Sequence, residues 1–466
     1  MKGKMAHLPS CMKELPHDLN ATLFTLFSFF ISILLVLKLT RRTKHNLPPS
    51  PPKIPIIGNY HQLGTLPHRS FQTLSQKYGP LLLLKLGQLP VLVVNSVSLA
   101  REVLQTHDEV FASRPHLTSS RIILYGCKDV GYASYGDAWR QKKKLCVVEL
   151  LSMKRVKSVQ FIREEEVETL VSNIRKASTR NGSSVNLTEM LVMTVNNIVC
   201  RCMFGRKYEA EDGNCRFGEL AREAMSEISD FSLGDMFPLL GWVGFLSGQT
   251  KKYKVTFGAL NAFFDHLIAE RKMARVDHEK KDFLDTLLHL QDSDKLEFEL
   301  TTDDLKAVLM DMFVGGSDTT STTVEWAMSE LVRNADKMKK VQEELGGYDI
   351  PHKTMLFVNA WAIQRDPEFW EKPQDFLPER FENSEVDFNG QDFQFIPFGS
   401  GKRKCPGMAF GLASVEFVLA NLLFYFDWKL YKSGESDKDL DMSEKFGLTT
   451  NKKEPLHVQP IPNSGS

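Results

Sequence analysis

Seven cysteines are scattered through the 466 residues, and only Cys405 stands in a context that asks for chemistry. It lies near the end of the string PFGSGKRKCPG, residues 397–407, ahead of an apolar stretch, 408–424, that reads as a helix. Gly399 and Gly401 permit a tight turn and a close approach of backbone to a flat ligand. Pro406 suits the first turn of the helix. That places Cys405 at the positive end, where the dipole and free N–H groups favour thiolate over thiol. Arg403 supplies a cation for a carboxylate, and Phe398 can pack beside the sulfur. The other cysteines (11, 127, 146, 200, 202 and 215) lack the paired spacing of a zinc cage or redox disulfide. They read as small apolar side chains in a reducing compartment.

A lone thiolate is too few ligands for zinc but suits haem iron. A second constellation is Gly315, Gly316, Ser317, Asp318, Thr319 and Thr320. Two glycines each cost a helix about 1 kcal/mol against alanine, and the hydroxyls compete for backbone carbonyls. One reading is close packing against a second helix. The other is a widened turn where ligand meets backbone, with Asp318 and Thr319 offering a carboxylate and a hydroxyl for proton delivery.

These residues need rigid carriers. Thr301, with acidic residues at 303 and 304, caps a helix that runs to about Arg333. At 1.5 Å per residue, roughly thirty residues span about 45 Å, enough to cross a domain. Apolar runs at 81–86 and 91–94 flank a Gly87–Pro90 turn and predict a hairpin. Helical periodicity marks 71–78, 99–106, 161–176, 187–204, 257–273 and 283–290. The fold class is mainly α with a small β part. Residues 277–282 read as a solvated loop, and apolar-rich segments 111–130, 231–245 and 446–450 as pocket-lining loops.

Ahead of this body come a tail (1–20), an uncharged apolar run extended to residue 39 as a transmembrane anchor (21–39), and a basic, proline-rich hinge (40–53). Lys38, Arg41, Arg42 and Lys44 make the following flank the more basic one, which favours a cytosolic body. A cleaved signal would carry its charge on the other side and a small-residue cleavage site. The body, 54–466, forms one large domain. Equal numbers of basic and acidic residues, 58 of each, point to no nucleic-acid partner.

PFGSGKRKCPG resembles the haem-binding loop of cytochromes P450, and GGSDTT resembles their oxygen-activation motif. The PPSPP hinge, Trp139 and Lys143 in YGDAWRQKKK, and PERF at 378–381 extend the likeness over nearly the whole chain, closest to plant microsomal enzymes of specialised metabolism. The resemblance implies a haem b monooxygenase in the endoplasmic reticulum membrane. Electrons would come from an NADPH–cytochrome P450 reductase, and the substrate would be small and lipophilic. It implies iron ligation by Cys405, proton relay through Asp318 and Thr319, and a haem-contacting set of Trp139, Lys143, Phe398, Gly401, Arg403 and Gly407. Lys143 stands where the family usually has arginine, which keeps the charge but loses the planar fork.

One family part is missing. A Glu-x-x-Arg helix and a pocket-lining strand are expected between Leu345 and Gly346, where the chain joins its flanks directly. Thr319 and Cys405 are 86 residues apart, and about fifty residues are expected to be absent, room for two average helices and a pair of strands. Glu330 and Arg333 match Glu-x-x-Arg in letters but belong to the end of the long helix. Without the family's carboxylate, Arg380 is expected to reach solvent or stay buried and unpaired. The alternatives to a monooxygenase are a haem-thiolate dehydratase or isomerase, and an impaired splice or gene-model variant that binds haem poorly.

Overall fold

A computed structural model describes residues 25–32, 47–178, 184–208, 216–228, 230, 232–274, 282–293, 296–333, 355–381, 384–430 and 440–462. Within the expected anchor, residues 25–32 are helical, with Leu26, Phe27, Phe29 and Phe30 exposed. The remainder of that segment, the Leu345–Gly346 junction, Cys11 and Cys215 lie outside the described residues.

The body carries the following principal elements in chain order: α1 (Pro67–Tyr78), β1 (Leu81–Leu86), β2 (Leu89–Val94), α2 (Asp137–Leu145), α3 (Gln160–Ser178), β3 (Val185–Asn186) and α4 (Leu187–Phe204). There follow α5 (Gln249–Ala274), α6 (Phe283–Gln291), α7 (Thr302–Arg333), β4 (Met355–Val358), α8 (Met408–Tyr425), β5 (Phe426–Leu430), β6 (Glu444–Lys445), β7 (Asn451–Lys452) and β8 (His457–Pro462). The hairpin β1–β2 is antiparallel, with Leu81 opposite Val94, and β4 joins β2 in parallel. A second sheet orders β3, β8 and β5, and β6 pairs with β7.

Local chemistry explains the main boundaries. Thr301 Oγ1 accepts from the Asp304 N–H at 3.2 Å, while Asp304 Oδ2 accepts from the Thr301 N–H at 3.3 Å, a reciprocal cap on α7. Gly205 ends α4 at φ 73°, its N–H returning to the Arg201 carbonyl at 3.0 Å. Asp282 belongs to no solvated loop. It is buried, caps α6 through the Asp285 N–H at 2.8 Å, and pairs with Arg271 at 2.7 Å. From Pro48 on, the proline stretch is fastened to the body, for Leu83 N–H donates to Pro49 O at 2.8 Å and Asn59 Nδ2 to Pro51 O at 3.2 Å.

Helix α7 organises two cores. Its first half sets Leu305, Val308, Leu309 and Phe313 against Val195, Ile198 and Met203 of α4. Its second half sets Val324 and Met328 among Val167, Leu170 and Ile174 of α3 and Val418 and Leu422 of α8. A helix anchored at both ends in separate cores is a fixed rail for residues between them.

Helices α4 and α8 are both long and apolar enough to cross a membrane by length and composition, yet α4 is mostly buried in the body. Helix α8 is apolar nearly all round but buries only the stripe Phe410, Ser414, Val418 and Leu422, leaving Leu423 and Phe424 exposed. A helix of that composition is normally covered on all sides. Segment 231–245, expected as a loop, is broken into short helices at Leu233–Met236, Pro238–Leu240 and Gly241–Leu246.

Candidate active site

The loop before α8 is built from tight turns. Gly399 N–H donates to Ile396 O at 3.0 Å, Lys404 N–H to Gly401 O at 3.1 Å, and Cys405 N–H to Phe398 O at 3.0 Å. Gly401 has φ +64°, and a Cβ there would overlap the carbonyl oxygen of Leu104. Glycine at this position is a steric requirement. Gly407 is less constrained, since a Cβ would sit 3.9 Å from Cys405 Sγ. It is the N-cap of α8, so the helix begins at Met408. Pro406 therefore lies ahead of the first turn in which it was expected.

Cys405 opens onto a cavity of about 250 Å³. Its side chain is accessible from that cavity yet enclosed by protein on its other sides. Burial pushes the thiol above its ordinary value, and the Gly407 N–H with the charges of Lys143 and Lys404 only partly offsets this. The expectation that the helix end alone would favour thiolate is thus corrected: desolvation outweighs it. Of the other described cysteines, Cys127, Cys146, Cys200 and Cys202 are buried, and burial drives Cys146 and Cys202 far above the thiol range.

The same cavity is lined by Gly315, Gly316, Thr319 and Thr320 of α7. The two glycines divide the two roles read from the sequence. A Cβ on Gly316 would come 3.1 Å from Val199 Cγ2 of α4, so this glycine serves helix packing, whereas a Cβ on Gly315 would meet nothing within 4 Å. No widened turn is present, because α7 is continuous from Thr302 to Arg333 and Thr319 Oγ1 donates to Gly315 O at 2.5 Å. Asp318 is on a different face. It lines a separate cavity of about 580 Å³ with Thr188, Glu189 and Phe446 through Thr449. Consecutive helical residues diverge by about 100°, which separates Asp318 from Thr319, and residues 446–449 of the expected pocket segment line the Asp318 cavity.

One wall of the Cys405 cavity is cationic. Arg403 donates to the carbonyls of Ala112 at 2.6 Å, Val130 at 3.0 Å and Ala133, with its guanidinium 4.3 Å over the Trp139 ring. Trp139 Nε1 donates to Val130 O at 2.9 Å. Lys143 Nζ donates to the carbonyls of Lys402 and, at 3.0 Å, Lys404. Burial, with repulsion from Arg114, draws Arg403 down to about 10, and burial lowers both Lys143 and Arg114. Three cations held below their ordinary affinity for protons form a wall that gains from an anionic ligand.

Arg114 and Val130 bear out 111–130 as a pocket-lining segment, although Arg114 was not singled out as a cation there, and Asp311 was missed as a cavity residue. Asp311 carried a usable signal, a carboxylate between Met310 and Met312 on the core-facing side of a long helix. Of the two courses foreseen for Arg380, it follows the first in part, half-buried with Nη2 towards solvent. On the turn Pro378–Phe381, it donates to the carbonyls of Glu371 at 3.4 Å, Lys372 at 3.3 Å and Asp375 at 2.9 Å, and its guanidinium lies 5.5 Å from the Trp370 ring centre.

A thiol that shares a cavity with a glycine-bearing helix, with cations and the Trp139 ring along one wall, is the set of side chains a flat dianionic metallocofactor needs, and apolar Phe398 and Phe410 complete the walls. The family model for Cytochrome P450 matches residues 48–346 and 344–457 as two stretches, and the chain belongs to that family. It is a cytochrome P450 monooxygenase by family, with haem as cofactor. It is 47% identical to the phenylacetaldehyde oxime monooxygenase of Prunus mume, covering 90% of this chain and 89% of the relative. Cytochrome P450 71A1 of Persea americana is 45% identical (86% and 90% covered), and costunolide synthase of Tanacetum parthenium 39% (90% and 93%). A zebra fish cytochrome P450 solved with progesterone has the same fold, with a TM-score of 0.68 at 24% identity over 85% of this chain and 100% of that one. The Prunus alignment spans 471 positions but includes 90% of these 466 residues, about 419, which leaves about 52 positions without a residue of this chain.

Proposed function

We propose that the chain is built to oxygenate a small lipophilic plant metabolite, with dioxygen as oxidant, electrons from an NADPH–cytochrome P450 reductase, and Cys405 as the iron ligand. The observation that carries this reading is the single cavity onto which Cys405 and Thr319 both open, with Trp139, Lys143 and Arg403 on its wall. Haem, when bound, supplies the oxygen-activating chemistry. Cys405 would hold the iron from the α8 side, with Phe398 packed against the ring and Gly401 and Gly407 shaping the loop beneath. Arg403, Lys143, Arg114 and Trp139 would meet the propionates. Gly315 leaves space in the same cavity, and the Thr319 hydroxyl, anchored on Gly315 O, would be a proton carrier there. Asp318 would serve that relay from the neighbouring face of α7. Segment 21–39 would anchor the chain in the endoplasmic reticulum membrane with its body in the cytosol.

The same proposal holds that about fifty residues are missing at 345/346. Supporting it are the two-stretch family match, the excess of aligned positions, and the apolar flank of α8 left exposed. The chain as given would then incorporate haem poorly, because the elements that should brace α8 and the ligand loop are absent. The test is reductase-dependent turnover of lipophilic candidates, following oxygen incorporation, for this chain and for one with a family-like segment inserted after Leu345. Turnover only in the restored chain supports both parts. Equal turnover in the two refutes the structural need for the segment. Turnover without reductase refutes the monooxygenase reading.

A further inference from the structure

The wall of cations is held by a loop, and that loop is held by a carboxylate of the long helix. Val130 N–H donates to Asp311 Oδ2 at 2.5 Å and Gly131 N–H to Asp311 Oδ1 at 3.3 Å. The other side of the same Val130 residue, its carbonyl, accepts from both Trp139 Nε1 at 2.9 Å and Arg403 Nη1 at 3.0 Å. Residue 130 is therefore a junction between α7, α2 and the ligand loop. We infer that Asp311 is a positioning residue which, through Val130, sets Arg403 and Trp139 and so couples the long helix to the loop that carries Cys405.

The setting of Asp311 fits a fixed strut. Asp311 lines the cavity and is half-buried, and burial, with the charge of Asp129 beside it, holds its carboxyl well above the usual carboxylate range. Asp129, two residues before Gly131, is fully buried, accepts from the Tyr132 N–H at 2.6 Å, and leaves Oδ1 without a partner. A Cβ on Gly131 would lie 3.2 Å from Asp129 Oδ2 and 3.3 Å from Asp311 Oδ1, so the glycine lets both carboxyls close on one backbone. Lys142, Arg403, Arg114, Tyr132, Cys127 and Cys146 are charged or titratable groups around the pair, and Lys142 is already paired with Asp304 at 2.8 Å. A carboxyl that accepts through both oxygens is what a loop needs when two adjacent N–H groups have no ladder partner.

The link to haem retention rests on the proposed role of the Cys405 loop, but the coupling itself is readable in the chain without cofactor. Hydrogen exchange is measured across the body in the unaltered chain, in Asp311→Leu and in Asp311→Asn, which retains one acceptor oxygen. We expect faster exchange at 130–131 and, by tenfold or more, at 401–405 in Asp311→Leu, a smaller effect in Asp311→Asn, and α3 and α5 unchanged. Arg403→Lys, which loses the fork, should accelerate 401–405 as well, and combining it with Asp311→Leu should add little. Acceleration confined to 130–131, a uniform rise throughout the body in both Asp311 variants, or fully additive effects overturn the inference. In the segment-restored chain loaded with haem, release should accelerate in parallel with exchange at 401–405. Faster exchange with unchanged release would leave the coupling standing and count against the haem-contacting role of Arg403.

Discussion

Alanine at Gly401 and alanine at Gly399 make a matched pair that separates backbone strain from steric overlap in the ligand loop. Both glycines lie in the left-handed region, at φ +64° and +66°, but a Cβ on Gly399 meets nothing within 4 Å, whereas one on Gly401 overlaps Leu104 O. Gly399→Ala should therefore cost only the conformational term, about 1–2 kcal/mol. Gly401→Ala adds the displacement of a packed backbone, comparable to overpacking at about 1–3 kcal/mol, for a sum of about 2–5 kcal/mol. Expressed as local opening of residues 401–405, this is roughly 5- to 30-fold for Gly399→Ala and roughly 30-fold to several-thousand-fold for Gly401→Ala, at RT of about 0.59 kcal/mol. The assay is native-state hydrogen exchange on the body, with melting temperature as a check on the whole. Equal effects at the two positions, or a Gly401→Ala loop exchanging like the unaltered one, would refute the claim that the close approach to Leu104 shapes the loop.

Lys142→Met breaks the buried pair with Asp304 at 2.8 Å and leaves a carboxylate in the first turn of α7; an expected loss of about 3–5 kcal/mol should show in denaturant unfolding, and a loss below about 1 kcal/mol would contradict it. Burial pushes Asp129 from 3.8 up to about 6, so the folded chain binds this proton more tightly than the unfolded one. The pair it forms with Asp311, whose carboxyl burial raises further, contributes stability that is fully present below about pH 4 and is lost progressively as pH rises, and Asp129→Asn should make that decline shallower. Removing residues 1–40 should release a body that leaves membranes on a high-salt wash. Retention through that wash would demand a second integral contact.

The carriers were legible because local chemistry sets them. Thr301 caps α7 within one residue of the expected start, and the alternation of α3, α4 and α6 is the usual trace of a buried helical face. The ligand loop was legible because its glycines and Cys405 are contiguous. Less visible were contacts made between remote segments. Nothing near Arg403 announces that it will be held by carbonyls of Ala112, Val130 and Ala133, and although helical geometry alone parts Asp318 from Thr319, it does not say which cavity each will meet. The cysteine environment also escaped, because a helix dipole can be read from sequence whereas the desolvation that opposes it depends on the surrounding packing. Arg380 shows the same limit: its hydrogen bonds to the carbonyls of Glu371, Lys372 and Asp375 join residues whose approach no local pattern displays.

The most direct test of the central claim is the reduced, carbon-monoxide-bound absorption spectrum of the segment-restored chain, recorded beside its Cys405→Ser variant. The account predicts a thiolate-type signal that disappears when Cys405 is replaced, with only a weak signal in the chain as given. A thiolate-type signal that survives in Cys405→Ser would contradict it.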